Sequence, residues 1–443
     1  MTTQIPYLAG NFAPVRDELT SFDLPITGSL PRELNGRLLR DGPNPIVPDA
    51  AAYHWILEDG MVHAIELRDG RALSYRNRWV RTDQACAKLG EQPPAGQPDD
   101  VFPVGTANTN LISHGGRILA LYEACLPTQI TAELDTVGRY DFAGRLRSAM
   151  TAHPKVDPDT GELFFFGVAI TGPPWLRLHV ADPQGNLVRS DDIDVRGPSM
   201  MHDFAVTRRH ILFLDLPVVY DPRLLGAGRL AARWTPEYGS RVGVMPREGG
   251  PVRWFEVETC YVFHTLNAYD DGDDIVVDVV RHPTMFAQDA YGIADQPPTL
   301  DRWRIDTVAG KVAETRLDDH SQEFPRIDDR RLGRPNRYGY AAMAPIQPGH
   351  LSFGGLIKHD LHQGSAVVNP LGPGNAAGEP IFVSADDGED DGWVLSVVYD
   401  AARDGSDLVI CDAGRFAADP VARVHLPQRV PYNFHGCWLP RDE

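Results

Sequence analysis

Short apolar segments separated by polar turns recur along the whole chain. Eight of these segments are rich in β-branched, aromatic and leucine residues, as expected for strands. They cover residues 61–67, 117–124, 162–170, 210–219, 274–281, 350–358, 393–399 and 407–412. Only residues 222–233 have a leucine- and alanine-bearing pattern typical of a helix, and this segment also contains glycines. The pattern therefore predicts an all-β protein.

Tight turns are predicted between several of these strands. Four dipeptides favour hairpins, namely Asp69-Gly70, Gln184-Gly185, Asp271-Gly272 and Asp404-Gly405. Glycine and proline number 41 and 37, and they are scattered between apolar runs instead of forming low-complexity tracts. The chain is therefore predicted to fold as successive hairpins.

The domain organisation follows from length and uniformity. No Pro/Gly/Ser linker or change of composition divides the 443 residues. An all-β domain of this length is large for a sandwich, so a closed β-propeller is the natural architecture. We predict one domain over residues 1–443. No internal repeat is visible, and the pattern alone leaves the number of blades open.

Charge and cysteine content restrict the possible partners and compartment. The chain has 42 Lys plus Arg against 61 Asp plus Glu, a formal charge of −19, and no basic run that could follow a phosphate backbone. We therefore expect no nucleic-acid partner. The five cysteines are odd in number and lack the paired spacing of zinc sites, which favours a reducing cytoplasm.

Targeting and membrane segments are not expected. The first residues lack a charged start followed by an apolar stretch, so no signal peptide is predicted. The longest apolar runs, 163–170 and 211–220, are far shorter than the roughly 18 residues of a membrane-spanning helix.

Four of the fifteen histidines have unusual apolar surroundings. They occur in Ala152-His153-Pro154, Met201-His202-Asp203, Phe263-His264-Thr265 and Phe434-His435-Gly436. A histidine among apolar residues must find a hydrogen-bond partner or a metal ion. Their wide spacing matches no short metal-binding motif. Spacing alone therefore leaves open whether they are metal ligands or ordinary core histidines.

Motifs along nearly the whole chain favour metal ligands over ordinary core histidines. They are LPRELNG at 30–36, RDGPNP at 40–45, EDGMVHA at 58–64, ANTN at 107–110, YEACLP at 122–127, TAHPK at 151–155, MMHDF at 200–204, EFPR at 323–326, EDDGW at 389–393 and FHG at 434–436. In this order they closely resemble the signatures of the carotenoid cleavage oxygenase family.

The resemblance implies a fold and a metal site. Members of the family are seven-bladed β-propellers that carry one Fe(II) on the propeller axis, under a cap of loops. The matching ligands here are His153, His202, His264 and His435. A propeller brings remote strands to a common axis, so widely spaced ligands are expected. Four neutral imidazoles leave two adjacent octahedral positions open for dioxygen.

Further site residues also follow from the resemblance. Glutamates matching Glu123, Glu323 and Glu389 would accept hydrogen bonds from the outer nitrogens of three ligands, fixing their tautomers. Thr109 matches a position beside the open iron site. The other histidines, including His54, His63 and His282, match no ligand signature and are expected to be structural.

The implied reaction is oxidative cleavage of a conjugated C=C bond to two carbonyl products, with O2 as co-substrate. The sequence has no Walker motif and no strand–GxGxxG–helix unit, so no organic cofactor is expected. An apolar tunnel would bind a lipophilic substrate. The candidate substrate-binding residues are Trp55, Tyr122, Met200 and Phe263.

The substrate class has two candidates. One branch of the family cleaves carotenoids or apocarotenoids, and another cleaves hydroxylated stilbenes and alkenylphenols and tends to have a lysine immediately before the first glutamate. This chain has Tyr122 there, which cannot supply the charge that stabilises a phenolate, so the polyene branch is favoured. Residues 82–100 are polar and proline-rich, which predicts at most peripheral membrane contact and keeps short apocarotenoids or phenylpropenoids open.

Two rival classes share features of this chain. A non-catalytic propeller would lack iron, and an iron-dependent retinoid isomerase would share the four histidines without forming aldehydes. No protein partner is predicted.

Overall fold

The protein is a seven-bladed β-propeller, seen here in a computed structural model that describes residues 6–48, 53–99, 105–224, 230–287, 296–344 and 353–441. The predicted all-β class and blade number are confirmed. That residues 1–443 form one domain stays a prediction.

The first part of the chain contains most strands of four blades, strand β2 of the last blade and a separate two-stranded sheet of β16 and β17. In chain order they are β1 (Thr20–Phe22), β2 (Ile26–Gly28), β3 (Gly36–Pro43), β4 (Gly60–Arg68), β5 (Arg71–Trp79), β6 (Asn110–His114), β7 (Arg117–Leu121), β8 (Thr128–Ile130), β9 (Thr136–Arg139), β10 (Lys155–Val156), β11 (Leu163–Val168), β12 (Leu176–Ala181), β13 (Leu187–Ile193), β14 (Ala205–Val206), β15 (His210–Asp215), β16 (Val218–Tyr220), β17 (Ala232–Trp234), β18 (Arg241–Pro246) and β19 (Arg253–Glu256).

The second part completes the ring. Its strands are β20 (Tyr261–Asp271), β21 (Asp274–His282), β22 (Thr299–Asp306), β23 (Lys311–Asp318), β24 (Gln322–Arg326), β25 (Tyr338–Met343), β26 (Gly355–Asp360), β27 (Ser365–Asn369), β28 (Asn375–Ala377), β29 (Ile381–Ser384), β30 (Gly392–Asp400), β31 (Gly405–Asp412), β32 (Ala422–His425) and β33 (Gly436–Pro440).

Both ends of the chain close the ring. One sheet has the order β1-β5-β4-β3-β33, so the last strand pairs with an early blade. Conversely, β2 pairs with β32 of the last blade. The intervening blades are antiparallel sheets of strands that follow one another in the chain: β6–β9, β10–β13, β14-β15-β18-β19, β20–β23 and β24–β27. Closure leaves no gap in the ring, and it fixes β33 beside the axis.

The position of a strand within its blade explains its hydrophobic pattern. Strand β21 lies between β20 and β22 and is buried along almost its whole length, because neighbouring blades cover both of its faces. Strand β23 is the edge strand on the outside of the same blade, and its residues alternate between partly buried and exposed. Middle strands therefore appear as continuous apolar runs, and outer strands are harder to recognise.

Most predicted strands and turns are confirmed, with two adjustments. The predicted strand 210–219 is two strands, β15 and β16, because Pro217 cannot donate to a ladder hydrogen bond. In the predicted strand 350–358, residues 350–352 lie outside the described residues, and β26 begins at Gly355. Each of the four turn dipeptides connects paired strands, and Gly70, Gly185 and Gly272 have positive φ as these turns require.

The predicted helix at 222–233 is wrong at both of its described ends. A 3-10 turn covers Pro222–Leu224, and β17 begins at Ala232 and pairs with β16. Residues 225–229 lie outside the described residues. In β17, hydrogen bonds to β16 satisfy the backbone N–H and C=O groups that a helix would have paired internally.

One short helix that the sequence analysis missed is α1 (Asp83–Leu89). The Thr82 side chain caps its first turn, and Gly90 ends it in the left-handed conformation at φ +72°. Lys88 and Gln84 bind the buried carboxylate of Asp59 at 2.7 and 3.1 Å and so attach the helix to the start of β4. The 3-10 helices are Pro6–Leu8, Gly10–Phe12, Trp55–Leu57, Pro222–Leu224, Pro236–Tyr238 and Asp329–Arg331.

Among the described residues, no helix combines the length and apolarity needed to cross a membrane.

Candidate metal centre

Four histidine side chains converge where the inner strands of four blades meet. His153 precedes β10, His202 precedes β14, His264 lies in β20 and His435 precedes β33. One ring nitrogen from each lies within 4.8 Å of those of the others. Each histidine therefore comes from a different blade, as the predicted axial site requires.

The geometry and chemistry of this cluster fit a cation. The Nδ1 atoms of His264 and His435 each contact a carboxylate, which can only accept, so each Nδ1 donates and each Nε2 is the nitrogen that can bind a cation. These two Nε2 atoms are only 3.2 Å apart. Two imidazole ligands at about 2.1 Å from one ion, bound at right angles, would be separated by about 3 Å. The spacing of the two Nε2 atoms therefore fits a pair of ligands to one metal ion.

His153 supplies independent support for a metal. Its Nε2 atom is buried and has no hydrogen-bond partner among the described residues. Burial and the three neighbouring imidazoles hold the pKa of His153 well below its usual value, so its ring is neutral. A buried lone pair without a donor is costly unless it binds a metal.

Two predicted glutamates contact the outer nitrogens of the cluster. Glu123 contacts Nδ1 of His202. Glu323 accepts from Nδ1 of His264 at 2.5 Å, and its other oxygen accepts from Nε2 of His282 at 2.7 Å. Burial alone would raise the pKa of Glu323, but the two histidines lower it below the usual range. This carboxylate therefore stays ionised.

The third carboxylate is Glu379, so the prediction for Glu389 is wrong. Glu379 accepts from Nδ1 of His435 at 2.9 Å, whereas Glu389 accepts from the backbone N–H of Arg337 at 2.6 Å. Glu379 is held by two arginines, with Nη1 of Arg40 at 2.8 Å and Nη1 of Arg326 at 3.3 Å. Burial would raise the pKa of Glu379, but Arg326, His435 and Arg40 together lower it.

β-Bulges direct two of these side chains toward the axis. In β20, Val262 pairs with Arg281 and Thr265 with Val279, so Phe263 and His264 together face a single residue of β21. The same two-to-one count occurs in β24, after Glu323. Phe324 at this second bulge has φ +55°, a conformation rarely adopted by a residue with a side chain. Bulges often redirect side chains beside active sites, as these do.

An ionic brace links the backbone next to three of the histidines. Nζ of Lys155 lies 2.7 Å from Oδ1 of Asp203, and Oδ2 of Asp203 accepts from the backbone N–H and the hydroxyl of Thr265, each at 2.8 Å. Asp203 is almost fully buried. These residues follow His153, His202 and His264 closely in sequence, so the brace fixes three inner strands relative to one another.

Thr109 lies next to the fourth histidine. Its carbonyl oxygen accepts from the backbone N–H of His435 at 3.2 Å, and its hydroxyl donates to Oδ1 of Asn108 at 2.9 Å. The side chain is buried. Its effect on the open metal positions stays a prediction.

The predicted substrate-binding residues lie at different places. The ring centroid of Phe263 is 5.0 Å from that of His202, and Tyr122 directly precedes Glu123. Trp55 is in an aromatic cluster with Tyr7, Phe12, Tyr432 and Phe434. Met200 is buried in the core formed mainly by β11 to β22, where its carbonyl accepts from the hydroxyl of Tyr261 at 2.8 Å. A substrate-binding role for each of them stays a prediction.

Sequence analysis assigned no site role to Glu379, His282, Phe324, Arg40 or Arg326. The sequence gives only a weak indication that Glu379 is buried, namely that it directly precedes Pro380 and the apolar strand β29. His282 ends the apolar run of β21, and Phe324 lies within the quoted EFPR motif. Nδ1 of His63 lies 2.8 Å from the hydroxyl of Tyr75, and the structural role of His63 stays a prediction.

Comparison with known proteins shows the family of the chain. A sequence profile of the family described as retinal pigment epithelial membrane protein matches residues 12–440. The chain is 41% identical to a carotenoid cleavage oxygenase of Mycobacterium tuberculosis, with 99% of this chain and 98% of the relative covered. The chain belongs to the carotenoid cleavage oxygenase family.

Solved structures agree as well. The crystal structure of Pseudomonas brassicacearum lignostilbene dioxygenase matches with a TM-score of 0.88 and 30% identity over 99% of both chains. A cobalt-substituted Synechocystis apocarotenoid oxygenase matches with a TM-score of 0.88 and 28% identity over 98% of both chains. The protein is an oxidoreductase that incorporates oxygen into its substrate.

Proposed function

We propose that the protein is a non-haem Fe(II)-dependent dioxygenase that cleaves a conjugated C=C bond of a carotenoid or apocarotenoid to two aldehydes, using O2. The observation that carries this proposal is the group of four converging imidazoles, three of which contact glutamates. Each chain would hold one iron ion and no organic cofactor.

The donor set and the enzyme class together favour iron. Imidazole is a good ligand for iron, copper, nickel and zinc, so the four histidines alone do not select among them. An oxygen-incorporating enzyme needs a redox-active ion, which disfavours zinc. Ferrous iron held by His153, His202, His264 and His435 would supply the reducing power for the reaction with O2.

The glutamates would prepare the ligands for this metal. By accepting the Nδ1 protons of His264 and His435, Glu323 and Glu379 keep both Nε2 lone pairs directed inward. Glu123 contacts His202 in the same way. An ionised carboxylate also increases the basicity of the imidazole that it contacts.

Aromatic side chains would exclude water and position an apolar substrate. Phe324 has its ring centroid 5.1 Å from that of His435, and Phe263 lies beside His202. Flat apolar surfaces suit a polyene, whose reacting bond must be held over the metal. Thr109, beside His435, is suited to restrict one open position through its methyl group.

Tyr122 favours the polyene over a phenol. Burial and the neighbouring Glu123 raise the pKa of Tyr122, so its hydroxyl is neutral. It could hydrogen-bond a substrate oxygen but could not pair with a phenolate as lysine would. The relative from Mycobacterium tuberculosis, named a carotenoid cleavage oxygenase, supports the same choice.

The second candidate is cleavage of a hydroxystilbene or alkenylphenol at the same site. It is supported by the lignostilbene dioxygenase of Pseudomonas brassicacearum, which matches 99% of this chain at a TM-score of 0.88. The hydroxyl of Tyr122 is the group that would bind the phenol.

Location and organisation are part of the proposal. None of the five cysteines forms a disulfide, which agrees with a reducing compartment such as the cytoplasm. Because β33 and β2 close the ring, we expect residues 1–443 to fold as one domain. The substrate would be a lipophilic small molecule, taken up with at most peripheral membrane contact.

Product analysis tests the function. The ferrous enzyme is incubated with an apocarotenal or with 4-hydroxystilbene in air, and aldehydes are identified by mass spectrometry. We expect two aldehydes from the apocarotenal and a higher kcat/KM than for the stilbene. His202→Ala, which removes one imidazole, should form no product. An isomerised product without aldehydes would contradict the proposal and favour the isomerase class.

A further inference from the structure

His282 is a buried histidine outside the four-histidine cluster, at the end of β21. Its backbone pairs with Tyr261 of β20, the strand that carries His264. Its ring lies edge-on to Phe263, with centroids 5.5 Å apart. It therefore belongs to the wall behind the metal centre.

The ring of His282 forms a hydrogen bond with Glu323. Its Nε2 donates to Oε1 of Glu323 at 2.7 Å, and a carboxylate can only accept, so the proton is on Nε2. Its Nδ1 is buried and has no hydrogen-bond partner among the described side chains and backbone. Among the described residues, Glu323 is therefore the only hydrogen-bond partner of the His282 ring.

His282 supplies the hydrogen bond that holds the second oxygen of Glu323. Its Oε2 already accepts from His264 and from the backbone N–H of Phe324 at 2.6 Å. The Nε2–H of His282 occupies the other oxygen and so fixes the rotation of the carboxylate about its last bond. Glu379 is fixed differently, by Arg40 and Arg326.

We propose that His282 is a positioning residue for the metal centre, acting through Glu323 to orient His264. This inference rests on the proposed function, because it requires a metal at the four histidines. Without the donor on Oε1, Glu323 could rotate and leave Nδ1 of His264 without an aligned acceptor. His264 would then be a weaker and less directed ligand.

Binding of Co(II) to the metal-free protein tests this proposal without a turnover assay. Affinity is measured by calorimetry, and visible absorption reports the ligand geometry. His282→Met removes the donor at similar volume, and the smaller His282→Asn serves as a second removal variant because its amide is too short to reach Glu323. We expect both to bind Co(II) about ten- to a hundredfold more weakly and to alter its spectrum.

Two further variants separate positioning from general stability. His282→Gln keeps a donor near the Nε2 position and should bind Co(II) as the wild type does. His179→Met is the matched control, since His179 is also buried and has two hydrogen bonds, to Ser148 and Ser190, but no contact with the cluster. It should lower thermal stability and leave the affinity for Co(II) unchanged.

A double-mutant cycle tests the route through Glu323. On a Glu323→Gln background, His282→Met should cause little further loss of affinity. An equal loss on both backgrounds, or wild-type binding by His282→Met and His282→Asn, would overturn the proposal and leave the proposed function intact. A wild type that binds no Co(II) would overturn both.

Discussion

The choice between Glu379 and Glu389 can be tested by one matched pair of variants. Both are changed to glutamine, which keeps size and shape and removes the negative charge. Glu379 is 2% exposed and lies between His435, Arg40 and Arg326. Glu389 lies on a partly exposed loop, where it accepts from the backbone of Arg337.

The expected effects differ because the surroundings differ. Removing one partner of a buried ion pair typically costs about 3–5 kcal/mol, since the remaining charge stays buried. Glu379→Gln leaves the guanidinium of the fully buried Arg40 in that state, so we expect a loss of this size. Glu389 forms a partly exposed ion pair with Nε of Arg331 at 3.7 Å, so Glu389→Gln should cost less than about 1 kcal/mol.

Two measurements on metal-free protein make the comparison. Urea unfolding gives the free energy of unfolding, and titration with Co(II) gives the metal affinity. Glu379→Gln should lower both, the affinity by about ten- to a hundredfold, and Glu389→Gln neither. Equal effects of the two variants, or a loss of metal affinity only in Glu389→Gln, would refute the assignment of Glu379.

Three further predictions follow from the site and the core. Glu123→Gln should weaken metal retention or lower activity by about ten- to a hundredfold, measured as metal per chain after dialysis and as kcat/KM, because His202 loses a charged acceptor. Tyr122→Lys should raise kcat/KM for 4-hydroxystilbene by about ten- to a hundredfold, because a charged hydrogen bond to a phenolate contributes roughly 1.5–3 kcal/mol; an unchanged preference would exclude contact with the phenol. Burial, with Arg177, lowers the pKa of His179 to about 4, so the unfolded chain binds more protons between pH 6.5 and 4 and stability falls as the pH is lowered through this range. The contribution of His179 to the loss at pH 5 should be about 2 kcal/mol, measured by urea unfolding as the amount by which the wild type loses more stability between pH 7 and 5 than His179→Met does.

Much of the fold could be predicted because middle strands of the blades carry continuous apolar runs. Strand β21, buried on both faces, was recognisable, as were the Asp-Gly turns at 69–70 and 271–272. Helix α1 was missed because its seven residues are too few for a clear helical period. Its caps, Thr82 and Gly90, were the available signals.

The ligand set of the site was easier to predict than its supporting contacts. The four histidines lie in family signatures, so each could be named from the sequence. The partner of His435 could not be inferred from proximity in the chain, because Glu379 approaches the axis through β29, which packs against β33. Glu389 was predicted because EDDGW at 389–393 resembles a family signature, but the loop before β30 directs it to Arg337.

The β-bulges could not be predicted from the hydrophobic pattern. Whether Phe263 or His264 faces the axis depends on how β20 pairs with β21, a register that alternation in one strand does not specify. The proposed role of His282 could not be predicted for a similar reason, since its contact with Glu323 joins strands of two blades.

Titration of metal-free protein with ferrous iron, with apocarotenal cleavage followed under air, tests the central claim most directly. We expect the rate of aldehyde formation to rise linearly and to reach a plateau at one iron per chain, and His202→Ala to show no rise. Full cleavage by the metal-free protein, or a plateau that His202→Ala also reaches, would contradict an iron centre built from the four histidines.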